Sequence, residues 1–239
     1  MRNVRLAFDA VLFDLDDTLL DGEAAGTEGL SRLLKRCPGI DSAEAWKAWV
    51  VASEEHYPRY LSGELTFDEH RTARIRSWAT ATGADVPPGT ELEWFTVYRA
   101  GYRAGWTSYP DVAPCLAALP ETVKLGVITN GDSVQQRDKI KALGLADTFH
   151  AVVASADIGI AKPDPRIFRH AADLLGVAPE RCLFIGDRHD TDARGAAAAG
   201  MTGVWLNRAG LPAPDGEIGE IGEIGQIATL AELVSLVTA

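Results

Sequence analysis

The segment Ala10-Val11-Leu12-Phe13-Asp14-Leu15-Asp16-Asp17-Thr18-Leu19-Leu20 runs an apolar, strand-like stretch directly into three carboxylates. A core strand normally ends before such groups, because a charge taken out of water is costly unless it is paired. In extended chain successive side chains alternate faces, so Asp14, Asp16 and Thr18 share one side while Leu15 and Asp17 share the other. Two carboxylates aimed into one pocket persist only with a cation, a positive side chain or a shared proton. Mg²⁺ is the cation that suits them, since it takes hard oxygen ligands and is held by one or two carboxylates plus substrate phosphate. A solvated Asp-Asp-Thr turn is the plain alternative, and the stretch alone does not choose between the two.

From Gly22 to Trp106 the apolar spacing is helical: Leu30, Leu33 and Leu34, then Trp46, Trp49 and Val50, then Trp78, then Leu92, Phe95, Val97 and Tyr98. Asp41 to Glu44 and Thr66 to Glu69 fit an N-cap followed by an acidic third position, and Pro87-Pro88-Gly89 punctuates two helices. Four helices are predicted. After Pro110 strands and helices alternate. Val123 to Thr129 is a β-branched strand ending at Asn130-Gly131, and Val134 to Leu143 is a polar amphipathic helix stopped by Gly144. His150 to Ala154 is a strand, and Asp164-Pro165 opens a helix that buries Ile167, Phe168, Ala171, Leu174 and Leu175. Cys182 to Ile185 is a strand delivering Gly186-Asp187, Asp192 to Ala199 an Ala-rich helix, and Val204 to Leu206 a fifth strand.

This rhythm predicts an α/β fold: a doubly wound parallel sheet, Rossmann-like, with a helical domain inserted after its first strand. The expected domains are a core of residues 1–21 and 107–239 and an insertion of 22–106. Gly216 to Ile227 repeats Gly-Glu-Ile and reads as an expanded surface loop, after which Thr229 caps a last helix.

The net charge of −11 argues against nucleic acid as a partner. An anionic substrate must therefore meet a local cation. Residues 22–106 carry 10 basic and 12 acidic side chains, the rest 13 and 22, so the insertion is the less repulsive part. No apolar run is long enough to span a bilayer, and Met1 to Leu6 lacks a signal-peptide pattern, so a cytoplasmic protein without membrane partners is expected. Cys37, Cys115 and Cys182 form no metal-type cluster and read as small core residues.

Ligands of such sheets bind at the carboxyl ends of the strands. Those ends supply Asp14 and Asp16, Thr129, and Asp187 with Asp192, and Lys162 precedes the helix that Asp164 caps. Each has a dull reading, as a turn hydroxyl, a solvated lysine or a helix cap; as a set at one sheet edge they balance charge. With Asp14-Leu15-Asp16-Asp17-Thr18, Thr129-Asn130-Gly131, Lys162-Pro163 and Gly186-Asp187 with Asp192 in this order, the chain resembles the haloacid dehalogenase superfamily of hydrolases, across essentially its whole length.

The resemblance implies a helical type 1 cap at 22–106 and a Mg²⁺-dependent phosphatase acting on a small phosphorylated metabolite through an aspartyl-phosphate. It implies Asp14 as nucleophile and Asp16 as the acid that protonates the departing alkoxide and then the base for water. For the first step Asp16 must be protonated, which neighbouring carboxylates would favour by raising its pKa. Metal ligands would be the side chains of Asp14 and Asp187 and the main-chain carbonyl of Asp16, with Asp192 orienting metal-bound water or the lysine. Thr129 would hold a phosphoryl oxygen, aided by backbone N–H groups near Leu15, Asp16 and Asn130, and Lys162 would neutralise Asp14 and the phosphoryl oxygens. Thr191 and His189 depart from the family's usual pattern beside the last acid.

A 2-haloacid dehalogenase shares the fold and nucleophile but needs neither a metal nor the second acid, so Asp16 and Asp187 speak against it. A sugar-phosphate mutase resembling β-phosphoglucomutase is a third possibility, and a non-catalytic binding module a fourth. Arg71, Arg74, Tyr57, Tyr60 and the tryptophans of the insertion are candidates to meet the leaving group, and a monomer or homodimer is expected.

Overall fold

The computed structural model describes residues 8–212 and 225–238. In chain order it contains β1 (Ala10–Phe13), α1 (Gly22–Leu34), α2 (Ser42–Leu61), α3 (Phe67–Thr82), α4 (Glu91–Ala104), α5 (Val112–Ala118), β2 (Lys124–Thr129), α6 (Ser133–Ala142), β3 (Ala151–Ala154), α7 (Ser155–Ile158), α8 (Pro165–Leu175), β4 (Cys182–Gly186), α9 (Gly195–Ala198), β5 (Thr202–Leu206), β6 (Gly225–Ile227) and α10 (Leu233–Thr238). The chain forms two compact units, one of Met1–Asp21 with Ser108–Ala239 and one of Gly22–Thr107.

The first unit is the α/β core. Among the described residues its sheet has six strands, all parallel, in the order β3-β2-β1-β4-β5-β6. The acid-tipped strand β1 lies at the centre, with Phe13 in register with Val127 on one side and Ile185 on the other. A parallel strand covered on both faces needs a continuous apolar run, and Ala10, Val11, Leu12 and Phe13 are all fully buried. The α8 helix packs Ile167, Phe168, Ala171, Ala172 and Leu175 into one core cluster, with Phe168 edge-on to Phe184 at 5.0 Å. Asp164 caps this helix by accepting from the Arg166 N–H, and Pro165 occupies its first turn as the sequence predicts.

Four features depart from the sequence reading, and the first is that Leu174, expected on the buried face of α8, is exposed. The last residues of the Gly-Glu-Ile stretch are not loop: Gly225–Ile227 forms β6, paired with β5 from Val204 to Leu206. Three residues are too few for a periodic signal, and pairing with a neighbour decides the conformation; residues 213–224 of that stretch lie outside the described residues. The helix expected from Asp192 starts at His189 as a wide, π-type turn, His189–Arg194, before narrowing into α9. The short helices α5 and α7 are additions that the sequence pattern does not predict.

The second unit is the four-helix unit α1 to α4. Asp41 caps α2 by accepting from the N–H groups of Ala43 and Glu44, and Thr66 with Glu69 forms a reciprocal capping box on α3. Leu33, Trp49, Ile75, Trp78 and Phe95 are central to its core, and the Trp78 indole donates to the Ala45 carbonyl at 3.2 Å. Cys115 and Cys182 are buried, Cys37 is partly so, and all three are free. No helix among the described residues is long and apolar enough to cross a membrane.

Candidate active site

β1 ends at Phe13, so the acidic stretch is a tight loop and not extended chain. Leu15 accepts from the N–H groups of both Leu19 and Leu20, and Asp17 turns the loop with a left-handed φ of 60°. Left-handed backbone at a non-glycine residue is uncommon and marks a position the surroundings over-determine. One support is Arg208, whose guanidinium binds Asp111 through two bonds of 2.8 and 3.0 Å and reaches the Thr18 carbonyl at 3.1 Å.

At the tip of β1 the buried Asp14 accepts from the Lys162 ammonium at 2.6 Å, and the same ammonium donates to Asp192 at 2.6 Å. Carboxylate oxygens of Asp14, Asp187 and Asp192 lie within 4.8 Å of one another. Burial pushes the Asp14 carboxyl up to about 7 against the pull of Lys162. Burial, then the charges of Asp14, Asp192 and Asp17, raises Asp187 to about 9. One ammonium among three acids, two of them buried and Asp187 partly so, leaves negative charge uncompensated, so the site is built for a further cation. A compact, all-oxygen carboxylate set of this kind fits Mg²⁺.

Local structure explains how these groups arrive. Gly186 ends β4 directly under the Asp192 carboxylate; a Cβ there would collide with it. Asp192 is held in place by the Arg188 N–H at 3.0 Å, across the wide turn. Asn130, at the end of β2, clasps the main chain of Lys162 from both sides: its amide donates to the Lys162 carbonyl at 3.0 Å and accepts from the Lys162 N–H at 2.8 Å. Its side chain thus anchors the lysine loop, a role beyond the main-chain N–H that the sequence suggests. Leu15 is fully buried beneath the loop. His189 pairs with Asp190 at 3.0 Å and meets the Trp205 ring, outside the acidic cluster.

Asp16 differs from expectation. Its carboxylate is not among the clustered acids but takes the Lys139 ammonium at 2.6 Å on one oxygen and the Gln136 amide at 2.9 Å on the other. Burial opposes its charge, yet Lys139 and Gln136 outweigh burial and hold its carboxyl below the ordinary value. The expected upward shift from neighbouring acids does not occur, because two donors face Asp16 from α6. The Gln136 amide also donates to the Thr129 hydroxyl at 2.5 Å and lies 3.2 Å from the Asn130 carbonyl. Asp16 and that carbonyl only accept, so the NH₂ end must face them and Thr129 is left to accept as well. The Thr129 hydrogen, with the Asn130 carbonyl no nearer than 3.5 Å, can then be offered to a bound group.

Reading Val134 to Leu143 as a polar amphipathic helix overlooks Gln136 and Lys139. The available signal is their spacing: with Ile140 they lie on the buried face of α6, where an amide and an ammonium demand partners.

A model of the haloacid dehalogenase-like hydrolase family matches residues 8–200. Glyceraldehyde 3-phosphate phosphatase of Methanopyrus kandleri is 36% identical over 200 residues, which cover 83% of this chain and 84% of that protein. N-acylneuraminate-9-phosphatase of Rattus norvegicus is 33% identical over 210 residues, covering 84% and 83%. Among solved structures, the HAD-hydrolase YfnB of Bacillus subtilis, bound to magnesium, superimposes with a TM-score of 0.82 over 97% of this chain and 99% of that one, at 24% identity, a likeness of fold. With the family match over residues 8–200 and relatives more than 30% identical over most of both chains, the chain belongs to the haloacid dehalogenase-like hydrolases and is a hydrolase.

Proposed function

We propose that the protein is a Mg²⁺-dependent phosphatase that hydrolyses a small phosphomonoester through an aspartyl-phosphate on Asp14. The observation that carries this reading is the Asp14-Lys162-Asp192 bridge, with Asp187 in the same acidic cluster, at the tip of the central strand. Among its relatives, those of Methanopyrus and rat bear the names of phosphatases of two different small phosphate esters.

In this reading Asp14 attacks phosphorus in line with the departing oxygen, splitting one hard displacement into two easier ones. Lys162 holds the Asp14 carboxylate in one orientation and places positive charge beside the transferring oxygens. Thr129 donates its hydroxyl hydrogen to a phosphoryl oxygen, and backbone N–H groups near Leu15 and Asn130 supply further donors. Asp16 serves as base for the water that attacks the aspartyl-phosphate, a role its ionised state with Lys139 suits; to protonate the leaving oxygen first, it must take up a proton and turn from Lys139. Asp14, Asp187 and the Asp16 carbonyl would hold Mg²⁺, with Asp192 orienting the lysine. Bound there, the ion would screen charge on the phosphoryl group and let the acids stay ionised. The helical unit is assigned the role of cap, carrying selectivity for the leaving group.

The test is a panel of phosphomonoesters with Mg²⁺ and with chelator, following phosphate release. Release that requires Mg²⁺ is expected. Halide release from 2-haloacids that survives chelation would replace this reading with the dehalogenase one.

A further inference from the structure

We propose that Trp205, on β5, is a positioning residue for the metal ligand Asp187: its indole N–H fixes the main chain that presents the Asp187 carboxylate to Mg²⁺. The inference rests on the phosphatase reading, in which Asp187 holds the ion, and deepens it by a residue outside the acidic cluster.

The three clustered acids are held unequally. Asp14 accepts from the Lys162 ammonium at 2.6 Å. Asp192 accepts from the same ammonium at 2.6 Å and from the Arg188 N–H at 3.0 Å. Asp187 has no such hold: among the described residues no hydrogen-bond donor reaches its carboxylate, and only burial and neighbouring charges act on it. Carboxylates that ligate a metal are ordinarily oriented by a hydrogen-bond partner behind them, and here that constraint falls on the main chain. The Asp187 carbonyl accepts from the Trp205 indole N–H at 2.8 Å, 18 residues away in the chain. An indole N–H only donates, and tryptophan has two side-chain torsions, so once its ring is packed the direction of that bond is set.

The packing of β5 makes the bond hard to avoid. Trp205 is buried and pairs in register with Gly186, so the indole and residue 187 start from neighbouring backbone positions. The His189 ring meets the indole edge to face, with centres 5.4 Å apart, and is itself tied to Asp190 at 3.0 Å. His189, a departure from the family's usual pattern, thus packs on the residue that holds Asp187. Two positions earlier on β5, Gly203 lies against the main chain of Ala193, where a Cβ would collide with the carbonyl. The strand therefore grips the stretch from Asp187 to Ala193 at both ends, by the indole and by this close approach. A phenylalanine or leucine would fill the same core space as Trp205; the N–H is what they lack, and burying it is costly unless an acceptor meets it.

The experiment reads the Mg²⁺ dissociation constant from the rise of Tm across a Mg²⁺ titration, alongside phosphate release from p-nitrophenyl phosphate. Trp205→Phe, which keeps a buried ring and removes the N–H, should weaken Mg²⁺ binding by about 10-fold or more. Its kcat/KM should fall by a similar factor at limiting Mg²⁺, and saturating Mg²⁺ should restore most of that loss. If circular dichroism shows that Trp205→Phe does not fold, benzothienylalanine at position 205 carries the same expectation, since it keeps the shape of tryptophan with sulfur in place of the N–H. A Mg²⁺ affinity within about 2-fold of wild type, or a loss of kcat/KM that saturating Mg²⁺ does not restore, overturns the positioning role and leaves the phosphatase reading intact. Wild-type protein that neither binds Mg²⁺ nor releases phosphate ends both.

Discussion

The two units handle charge in opposite ways. At the tip of β1, Asp14, Asp187 and Asp192 share one ammonium, and the surplus is negative. On α3, Arg71 and Arg74 lie on aromatic rings, Arg71 with the exposed Asp68 beside it. Buried charge is tolerated only when compensated: the acids of the core suit a further cation, whereas the guanidinium groups of the helical unit rest on ring faces. The net charge of −11 conceals this division, since it averages a cationic patch into an acidic chain.

The contrast can be broken most decisively at Asp14. Asp14→Asn should abolish turnover, a loss on the order of 10⁵-fold, while the far-ultraviolet dichroism stays unchanged; measurable steady-state hydrolysis of phosphomonoesters would remove Asp14 as nucleophile. Next in size is Lys162→Met, which leaves Asp14 and Asp192 buried without their ammonium. It should cost about 3–5 kcal/mol in urea unfolding. Added Mg²⁺ should recover part of that loss, and a variant as stable as wild type would show that the lysine is not what balances the acids.

A smaller effect is expected at Gln136. Gln136→Leu frees the Thr129 hydroxyl to rotate and should lower kcat/KM by about 10-fold. Gln136→Glu, an acceptor where a donor was, should cost more, because it draws the hydroxyl hydrogen away from the phosphoryl group. With Thr129→Val already present neither change should add much, and full additivity would separate Gln136 from Thr129.

The last effect concerns stability in the helical unit and shows only at acid pH. Burial, with Arg74 close by, lowers His70 to about 4. The unfolded chain therefore binds a proton near pH 6.5 that the folded protein refuses, and stability is lost as pH falls from about 6.5 toward 4. His70→Phe should flatten that part of the Tm-against-pH curve relative to wild type; parallel curves would mean that His70 is not held neutral by its surroundings.

Much of the fold was legible because its signals are local. Apolar runs at Ala10–Phe13 and Cys182–Gly186, the Asp164-Pro165 start of α8 and the Thr66-Glu69 capping box each depend on residues within one turn or strand. β6 was not legible, because three residues acquire strand geometry only by pairing with β5. At the candidate site, the acids and the lysine announced themselves as charges at strand ends, where ordinary core chemistry would not place them. Their electrostatic states did not. Nothing near Asp16 in the chain indicates that Lys139 and Gln136 will face it from α6, and that contact turns an expected upward pKa shift into a downward one.

Sequence by itself determined the parallel α/β architecture and the identity of the charged groups at the carboxyl edge, since periodicity and residue type act over short range. Only the tertiary structure decided which charge answers which: Lys162 between Asp14 and Asp192, Lys139 on Asp16, and Arg74 on Trp49 with no acid among the described residues to pair it. Electrostatic energy depends on distance and burial, and both are set by how far-separated segments pack.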